Sequence, residues 1–290
     1  MNIEDKHKNV ALVLASGGAK GYAHIGAIEA LEEKGYKITS IAGTSMGALI
    51  GGIYAAGGLE EVKKWMFDLN KKQVFSLADF KIGRSGILKG ESVIEAMKEI
   101  VPDRNIEDLE IPFCASATDL KTGSEYVFRT GKLYDAIRAS ISVPMFFHPV
   151  TYKGMKLIDG GITNGLPLNR VARNEGDILV AVNLDNYHHE TIFNEEVVPK
   201  KKTKSKNKIS GFVENTLENF KSLGNNVSQI NDSISILMRT NVNLSLQLNK
   251  PDIYVNVDLK NKFGSYNFDH AEEIARIGYE QMLERLKQVR

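Results

Sequence analysis

Residues 38–56 have the sequence ITSIAGTSMGALIGGIYAA, in which two apolar runs flank a serine that lies between glycines. Ile38 to Ala42 is typical of a buried strand, and Ala48 to Ala56 is typical of a buried helix. Gly43-Thr44-Ser45-Met46-Gly47 lies between them and matches G-x-S-x-G. Between a strand and a helix, this pattern predicts a nucleophile elbow, a turn so tight that the residues flanking the serine must be small. Ser45 is therefore the predicted nucleophile, at a helix N-terminus that favours developing negative charge.

The segments on either side continue the alternation of strand and helix. Val10 to Leu14 is a short aliphatic run that ends in a glycine loop, and a helical pattern then runs from Gly21 to the stop at Gly35. Strand, helix, strand and helix at this spacing indicate parallel βαβ units. We therefore predict an α/β fold with a mainly parallel central sheet. We expect one domain over residues 1–290, with a catalytic core at about 8–184.

The second half of the chain predicts less regular structure. Residues 185–208 are polar and hold six lysines between Lys200 and Lys208, which predicts an exposed basic loop. That run is either solvated or in contact with anionic lipid headgroups. Apolar residues at helical spacing then predict a long helix from Ile209 to about Arg239. With one strand at Ile253 to Val257 and a closing helix at Ala271 to Val289, residues 209–290 form a predicted helical extension.

Composition and charge exclude several classes of function. A formal net charge of +1 gives no overall attraction for nucleic acid, so no nucleic-acid partner is expected. The single cysteine, Cys114, excludes an internal disulfide and a cysteine-based metal cluster, and its apolar neighbours predict a buried side chain. The charged residues before Val10 do not resemble a signal peptide, so we expect a cytoplasmic protein, with peripheral membrane contact left open.

The glycine loop after the first predicted strand is Ser16-Gly17-Gly18-Ala19-Lys20-Gly21. It lacks the Gly-Lys-Ser/Thr ending of a P-loop, and it matches the dinucleotide-binding fingerprint only in part. Small residues in such a loop can direct consecutive backbone N–H groups at an oxyanion near Ser45. The alternative is a tight turn without a chemical role.

A catalytic serine needs a proton acceptor, and the six histidines are poor candidates. His148 is the best of them, but no sequence context supports a Ser-His-Asp triad, and we expect His24 to be packed and hydrogen-bonded. Asp159 has better context because it ends a short predicted strand and precedes Gly160 and Gly161. A carboxylate within hydrogen-bond reach of Ser45 could accept its proton directly. Taken alone, Asp159 is better explained as part of an Asp-Gly turn with no chemistry.

Together, these motifs resemble those of the patatin-like phospholipase family. They are SGGAKG at 16–21, GTSMG at 43–47 and DGG at 159–161, which correspond to the family's G-G-G-x-[KR]-G, G-x-S-x-G and D-G-[GA]. The segment from Ala139 to Pro149 is similar to the family's S-x-x-x-P-x-x-F-x-P. The resemblance covers residues 9–184 well and the segment from Ile253 onward more loosely. It implies a three-layer α/β/α sandwich.

The resemblance also implies a Ser-Asp dyad that hydrolyses fatty-acyl esters of phospholipids or lysophospholipids, without a metal or other cofactor. Ser45 would attack the acyl carbonyl, Asp159 would accept its proton, and the N–H groups of Gly17, Gly18 and Ala19 would bind the oxyanion. The remaining motif residues are Lys20, Gly21, Gly43, Gly47, Gly160 and Gly161. Ser16 departs from the family pattern, and a serine would be strained there if the position required positive φ. The alternative function is that of a catalytically weak relative that binds lipid or regulates.

A lipid substrate also requires apolar surface near the dyad. The predicted pocket residues are Met46, Met145, Phe146 and Phe147, although apolar residues at such positions are often ordinary core. The expected partners are a lipid or lysophospholipid substrate, with transient contact at a membrane surface. The sequence leaves a homo-oligomer open.

Overall fold

The computed structural model describes residues 8–69, 73, 90–144, 146–184, 233–260, 262–264 and 267–289. The chain divides into two compact units, one of residues 1–186 with 238–290 and the other of residues 187–237. The predicted basic loop at 185–208 and most of the predicted helix at 209–239 lie outside the described residues. The single domain predicted over 1–290 therefore stays a prediction.

The described elements alternate between strands and helices. The strands are β1 (Asn9–Leu14), β2 (Lys37–Thr44), β3 (Phe113–Asp119), β4 (Glu125–Phe128), β5 (Val150–Tyr152), β6 (Met155–Asp159), β7 (Ile178–Asn183) and β8 (Ile253–Asn256). The helices are α1 (Ala23–Glu33), α2 (Met46–Ala55), α3 (Leu59–Asp68), α4 (Glu91–Ile100), α5 (Leu133–Ser140), α6 (Gly161–Asn164), α7 (233–248) and α8 (Ala271–Gln288). Short 3-10 helices span Gly18–Tyr22, Ile106–Asp108 and Phe268–His270.

The strands form one sheet in the order β5-β6-β3-β2-β1-β7-β8, and β4 pairs with β3 beside this path. The pairs β2–β3, β1–β2, β1–β7 and β7–β8 are parallel, whereas β3–β4, β3–β6 and β5–β6 are antiparallel. This confirms the predicted α/β fold with a mainly parallel central sheet. Because parallel strands point the same way, the carboxyl ends of β1 and β2 lie at one edge, where the glycine loop and the Ser45 turn follow them.

Side chains of the central strand β1 point alternately to two separate cores, as the period of two along a strand requires. Val10, Leu12 and Leu14 lie in the larger core, which also contains the buried faces of α1, α2 and α8. Ala11 and Val13 lie in the smaller one, which includes Val242 of α7. Burial on both faces explains why these strands are continuous apolar runs in the sequence.

Helices α1 and α8 pack backbone against backbone. A Cβ added at Gly26 would lie 1.9 Å from the carbonyl oxygen of Ala275, and one at Gly278 would lie 2.1 Å from that of Ala23. No larger residue fits at either position without separating the helices. Helix α1 follows the glycine loop directly, so α8 supports the loop through α1.

The structure differs from the sequence predictions at the antiparallel corner and at the end of the chain. Strand β5 was not predicted, because it has only three residues; it joins β6 through a tight turn in which Lys153 and Gly154 have positive φ. Strand β8 pairs with β7, so the sheet extends beyond the predicted core at 8–184. Helix α7 continues to residue 248, nine positions beyond the predicted end at Arg239. None of the described helices combines the length and the hydrophobicity needed to cross a bilayer.

Candidate active site

Ser45 lies in a strained turn between β2 and α2. Its backbone has φ 55° and ψ −122°, a conformation that non-glycine residues rarely adopt. The flanking glycines make the turn possible, because a Cβ at Gly43 would lie 2.4 Å from the carbonyl oxygen of Gly47. A Cβ at Gly47 would lie 2.2 Å from the carbonyl oxygen of Leu14. The turn thus presents the Ser45 side chain at the N-terminus of α2.

Ser45 and Asp159 meet directly. The Ser45 Oγ donates a hydrogen bond of 2.5 Å to Oδ2 of Asp159, which is the last residue of β6. The second carboxylate oxygen, Oδ1, accepts a 2.7 Å bond from the N–H of Gly161. Both side chains are buried, with 4% of Ser45 and 2% of Asp159 exposed. The two residues that the sequence nominated are therefore in hydrogen-bond contact, although they are 114 positions apart.

Burial controls the acidity of Asp159. Removal from water disfavours the charged carboxylate and raises its pKa to about 6, despite the opposing hydrogen bonds from Ser45 and the Gly161 N–H. Such a carboxyl group is mostly ionised at neutral pH, yet it is much more basic than an exposed aspartate. That combination suits a group that must accept a proton and later return it.

Asp159 is also fixed through its backbone. The Thr118 Oγ1 donates a 2.9 Å bond to the carbonyl oxygen of Asp159, and the N–H of Asp159 donates a 2.9 Å bond to the carbonyl oxygen of Ser142. In the sheet, Asp159 is paired with Ala117 of β3. The position of the carboxylate therefore depends on β3 and on the segment after α5, both far away in the chain.

The glycine loop lies beside these residues. The Ser16 N–H donates a 2.9 Å bond to the carbonyl oxygen of Gly165, just after α6. A Cβ at Gly21 would lie 2.0 Å from Cγ of Met46, so the loop packs against the residue that follows Ser45. Gly17 precedes the 3-10 turn Gly18–Tyr22, which contains Ala19 and Lys20. The first N–H groups of such a turn have no partner within it, so they can bind an external acceptor.

Ser16 does not strain this loop. In the described part of the chain, the non-glycine residues with positive φ are Ser45, Lys153 and Lys260. In the loop itself, Gly18 has positive φ, at 56°. The conformation that would exclude serine is thus required at Gly18 and not at Ser16.

His24 supports the glycine loop by bonding to the residue before it, and it is not placed to serve as a base. It is fully buried, and its Nε2 lies 2.8 Å from the carbonyl oxygen of Ala15, immediately before the loop. Burial lowers its pKa to about 4, so the neutral ring donates Nε2–H to that carbonyl. The packed, hydrogen-bonded role expected from the sequence agrees with this geometry. His148 is exposed, and its carbonyl oxygen accepts a bond from Arg138.

The predicted pocket residues are only partly accounted for. Met46 is 7% exposed and packs on Gly21. The ring of Phe147 lies over the guanidinium of Arg138, with 5.5 Å between the Arg138 Cζ and the ring centroid. Phe146 is half-buried, and Met145 lies outside the described residues. A lining role for these residues stays a prediction.

Sequence reasoning did not identify three residues that lie near Ser45 and Asp159. Thr118 supports Asp159, Ser140 contacts the backbone of Ser45, and the Met238 Cε lies 2.2 Å from the position of a Cβ on Gly161. Ser140 stands in the S-x-x-x-P segment, which was its one sequence signal. Thr118 and Met238 reach the site through tertiary packing that no local pattern encodes.

The site itself offers oxygen and backbone N–H groups. Within the ranges that the structure describes, no three His, Cys, Asp or Glu side chains converge so that they could hold a metal ion. The arrangement brings together a buried hydroxyl, a basic carboxylate, a helix N-terminus and a loop of small residues. Chemically, it can activate the serine for attack on a carbonyl carbon.

The family model for patatin-like phospholipases matches residues 12–172. An NTE family protein of Mycobacterium tuberculosis (strain H37Rv) is 47% identical over 176 residues, which is 61% of this chain and 49% of the mycobacterial protein. Patatin-like phospholipase domain-containing protein 7 of Rattus norvegicus is 33% identical over 183 residues, which is 60% of this chain and 13% of the rat protein.

A solved structure similar to this one is VipD from Legionella pneumophila, with 17% identity and a TM-score of 0.47 over 98% of this chain and 67% of VipD. The chain spans about half the length of the mycobacterial relatives that it matches. The matched family segment contains the glycine loop, the Ser45 turn and Asp159, and it covers more than half of the 290 residues. This chain belongs to the patatin-like phospholipase family.

Proposed function

We propose that this protein hydrolyses the carboxylic ester bonds of lipids, with Ser45 as nucleophile and Asp159 as its proton acceptor. The observation that carries the proposal is the buried 2.5 Å hydrogen bond from the Ser45 Oγ to the Asp159 Oδ2, formed in a strained turn at the N-terminus of α2. Membership of a family of phospholipases supports a lipid substrate.

In the first half of the reaction, the Ser45 Oγ bonds to the acyl carbonyl carbon while its proton passes to the Asp159 Oδ2. The carbonyl electron pair moves to the oxygen, and the N–H groups of Gly17, Gly18 and Ala19 bind the resulting oxyanion. Collapse of this intermediate breaks the bond to the alcohol oxygen, which takes the proton from Asp159. The products are an acyl group on Ser45 and a free alcohol. The alcohol is a lysophospholipid when the substrate is a phospholipid, and a glycerophosphodiester when the substrate is a lysophospholipid.

In the second half, water repeats the same sequence. Asp159 accepts a proton from the water as its oxygen bonds to the acyl carbon, and the oxyanion again forms against the glycine loop. The proton then returns to the Ser45 Oγ as the fatty acid leaves. A carboxyl group with a pKa of about 6 suits both directions of transfer, because it is ionised at neutral pH but basic enough to hold the proton briefly.

The experiment compares hydrolysis of p-nitrophenyl esters of short and long acyl chains by wild type, Ser45→Ala and Asp159→Asn. We expect both variants to lose at least about 10³-fold in kcat. Ser40→Ala is the matched control, because Ser40 is a buried serine of β2, the strand that precedes Ser45, and its Oγ bonds to the carbonyl oxygen of Ala172. It should retain activity.

Covalent labelling by a fluorophosphonate gives a second readout. Wild type should take up one label at Ser45, and Ser45→Ala should take up none. A wild-type protein that hydrolyses no ester, or a Ser45→Ala variant with the full rate, would overturn the assignment. Binding without hydrolysis would then favour the lipid-binding or regulatory alternative.

A further inference from the structure

We propose that Ser140 is a positioning residue for this reaction: its buried hydroxyl holds the backbone of Ser45 so that Oγ stays within reach of Asp159. The inference rests on the proposed hydrolase function. Ser140 is the last residue of α5 and has no exposed surface. It is part of the S-x-x-x-P segment that neither the dyad nor the oxyanion loop uses.

The contact with the nucleophile is direct. The backbone N–H of Ser45 donates a 2.8 Å bond to the Ser140 Oγ. The same hydroxyl donates its own proton to the carbonyl oxygen of Ser116, at 2.7 Å. A hydroxyl has one proton, so donation to Ser116 turns a lone pair toward Ser45. The orientation of Ser140 is therefore determined on both sides.

The same corner of the chain also holds the other member of the dyad. The carbonyl oxygen of Ser142 accepts the N–H of Asp159 at 2.9 Å, and the carbonyl oxygen of Ser140 accepts the N–H of Gly160 at 3.4 Å. The stretch from Ser140 to Ser142 thus bonds to the backbone on both sides of the 2.5 Å hydrogen bond. These bonds fix the distance between the Ser45 Oγ and the Asp159 carboxylate.

The backbone of Ser45 needs such a restraint. Its φ of 55° is a conformation that persists only where the surroundings determine it. Its N–H precedes the first residue of α2, so it has no partner within the helix. Without the Ser140 hydroxyl, a buried donor would lose its acceptor, and the turn could relax away from Asp159. The same bond directs the Ser45 N–H toward Ser140, so the oxyanion must rely on other N–H groups.

Ser40 offers a matched control in strand β2. It is also buried, and its Oγ donates to a backbone carbonyl oxygen, that of Ala172. Among the contacts of the described residues, the Ser40 side chain makes no bond to Ser45, Asp159 or the glycine loop. Ser40→Ala therefore removes a buried hydroxyl without removing a bond to the dyad.

The test measures kcat, KM and melting temperature for wild type, Ser45→Ala, Ser140→Ala and Ser40→Ala on p-nitrophenyl butyrate. A misplaced nucleophile costs about 10²-fold, so we expect Ser140→Ala to lower kcat by that factor with little change in KM. Ser40→Ala should lose a similar amount of thermal stability but keep kcat within about threefold of wild type. Ser140→Thr, which retains the hydroxyl, should recover most of the lost kcat.

Equal losses of kcat in Ser140→Ala and Ser40→Ala, or full kcat in a folded Ser140→Ala, would show that the hydroxyl has only a structural role. If Ser140→Ala does not fold, Ser140→Cys takes its place, because the side chain still fills the position while its sulfur is only a weak hydrogen-bond acceptor. A folded Ser140→Cys with wild-type kcat would overturn the proposal. The proposed function fails separately, through an inactive wild type or an active Ser45→Ala.

Discussion

The two members of the dyad are held in different ways. Ser45 lies in a turn whose shape is set mainly by a local motif with glycines at 43 and 47, and one long-range bond from its N–H to the Ser140 Oγ restrains it. Asp159 depends on distant segments, because Thr118 of β3 and Ser142 after α5 bond to its backbone. The turn at Ser45 is thus encoded mainly by the local sequence, whereas Asp159 is positioned by tertiary structure. The difference predicts that substitutions near Ser45 and substitutions near Asp159 will have different effects on stability and activity.

The largest expected effect is at the elbow. In Gly47→Ala, the new Cβ would lie 2.2 Å from the carbonyl oxygen of Leu14, and neither backbone can move independently. We expect a loss of about 3 kcal/mol or more in the free energy of unfolding, together with loss of activity. Urea denaturation followed by circular dichroism measures the first effect, and ester hydrolysis measures the second.

Gly57, beyond the other end of α2, is the control for Gly47. It has φ +78°, and a Cβ there would meet nothing within 4 Å. Gly57→Ala should therefore cost only about 1–2 kcal/mol, the cost of a left-handed backbone. Equal stability of the two variants would mean that close approach does not limit the elbow.

The next effect concerns the charge on Asp159. The activity kcat/KM should rise with pH and level off above about 6, because only the ionised carboxylate accepts the proton. Below that pH, it should fall about tenfold per unit. A profile that is flat between pH 4 and pH 8 would contradict the role of Asp159 as the base.

The same carboxyl group should affect stability with the opposite trend. The folded state raises its pKa from 3.8 to about 6, so folding favours the protonated form, and stability decreases as pH rises through this range. Above pH 6, Asp159→Asn should therefore be more stable than wild type, by an amount on the order of 1–3 kcal/mol. The difference should vanish below pH 4. Ser45→Ala, which retains the carboxyl group, should keep a pH-dependent stability in the same denaturation experiment.

The smallest expected effect on activity tests the long-range support of Asp159. Thr118 is 2% exposed, and its Oγ1 bonds to the Asp159 carbonyl oxygen and to the Thr163 Oγ1, each at 2.9 Å. Thr118→Val keeps the shape but removes both bonds. We expect a loss of about 1–3 kcal/mol in stability and of about tenfold in kcat, measured by denaturation and by hydrolysis.

Thr39 provides the matched control for Thr118. Its Oγ1 also has two partners, near the start of β2: the carbonyl oxygen of Val10 at 3.1 Å and the Asp177 Oδ2 at 3.0 Å, two acceptors that share its one proton. Thr39→Val should lower stability while leaving kcat unchanged. If both threonine variants lower kcat equally, the support of Asp159 by Thr118 is not specific.

The same contrast explains what the sequence could predict. The strand, turn and helix around Ser45 were predicted to within about two residues, because buried parallel strands are apolar runs and the glycines mark the turn. The position of Asp159 at the end of a strand was also predicted, but its contact with Ser45 rested on the conjunction of motifs. The hydrogen bond at 2.5 Å came from the structure.

The antiparallel corner was beyond the reach of local patterns. A strand of three residues, Val150–Tyr152, is too short to show the alternation of side chains that identifies a strand. Its pairing with β6 depends on a two-residue turn. The contact of Ser140 with Ser45 depends on where α5 ends relative to β2. Such contacts come from packing between elements, which spacing along the chain does not report.

The separation of 114 positions between Ser45 and Asp159 also has a consequence in time. Contacts between distant parts of a chain form late, because closing a long loop costs entropy before any contact repays it. The turn at Ser45 can form early with its own strand and helix, but it has no base until β3, β6 and the end of α5 have assembled around it. On the mechanism proposed above, a newly made or partly unfolded chain would therefore not hydrolyse lipid esters, and hydrolysis would return only in the last phase of refolding.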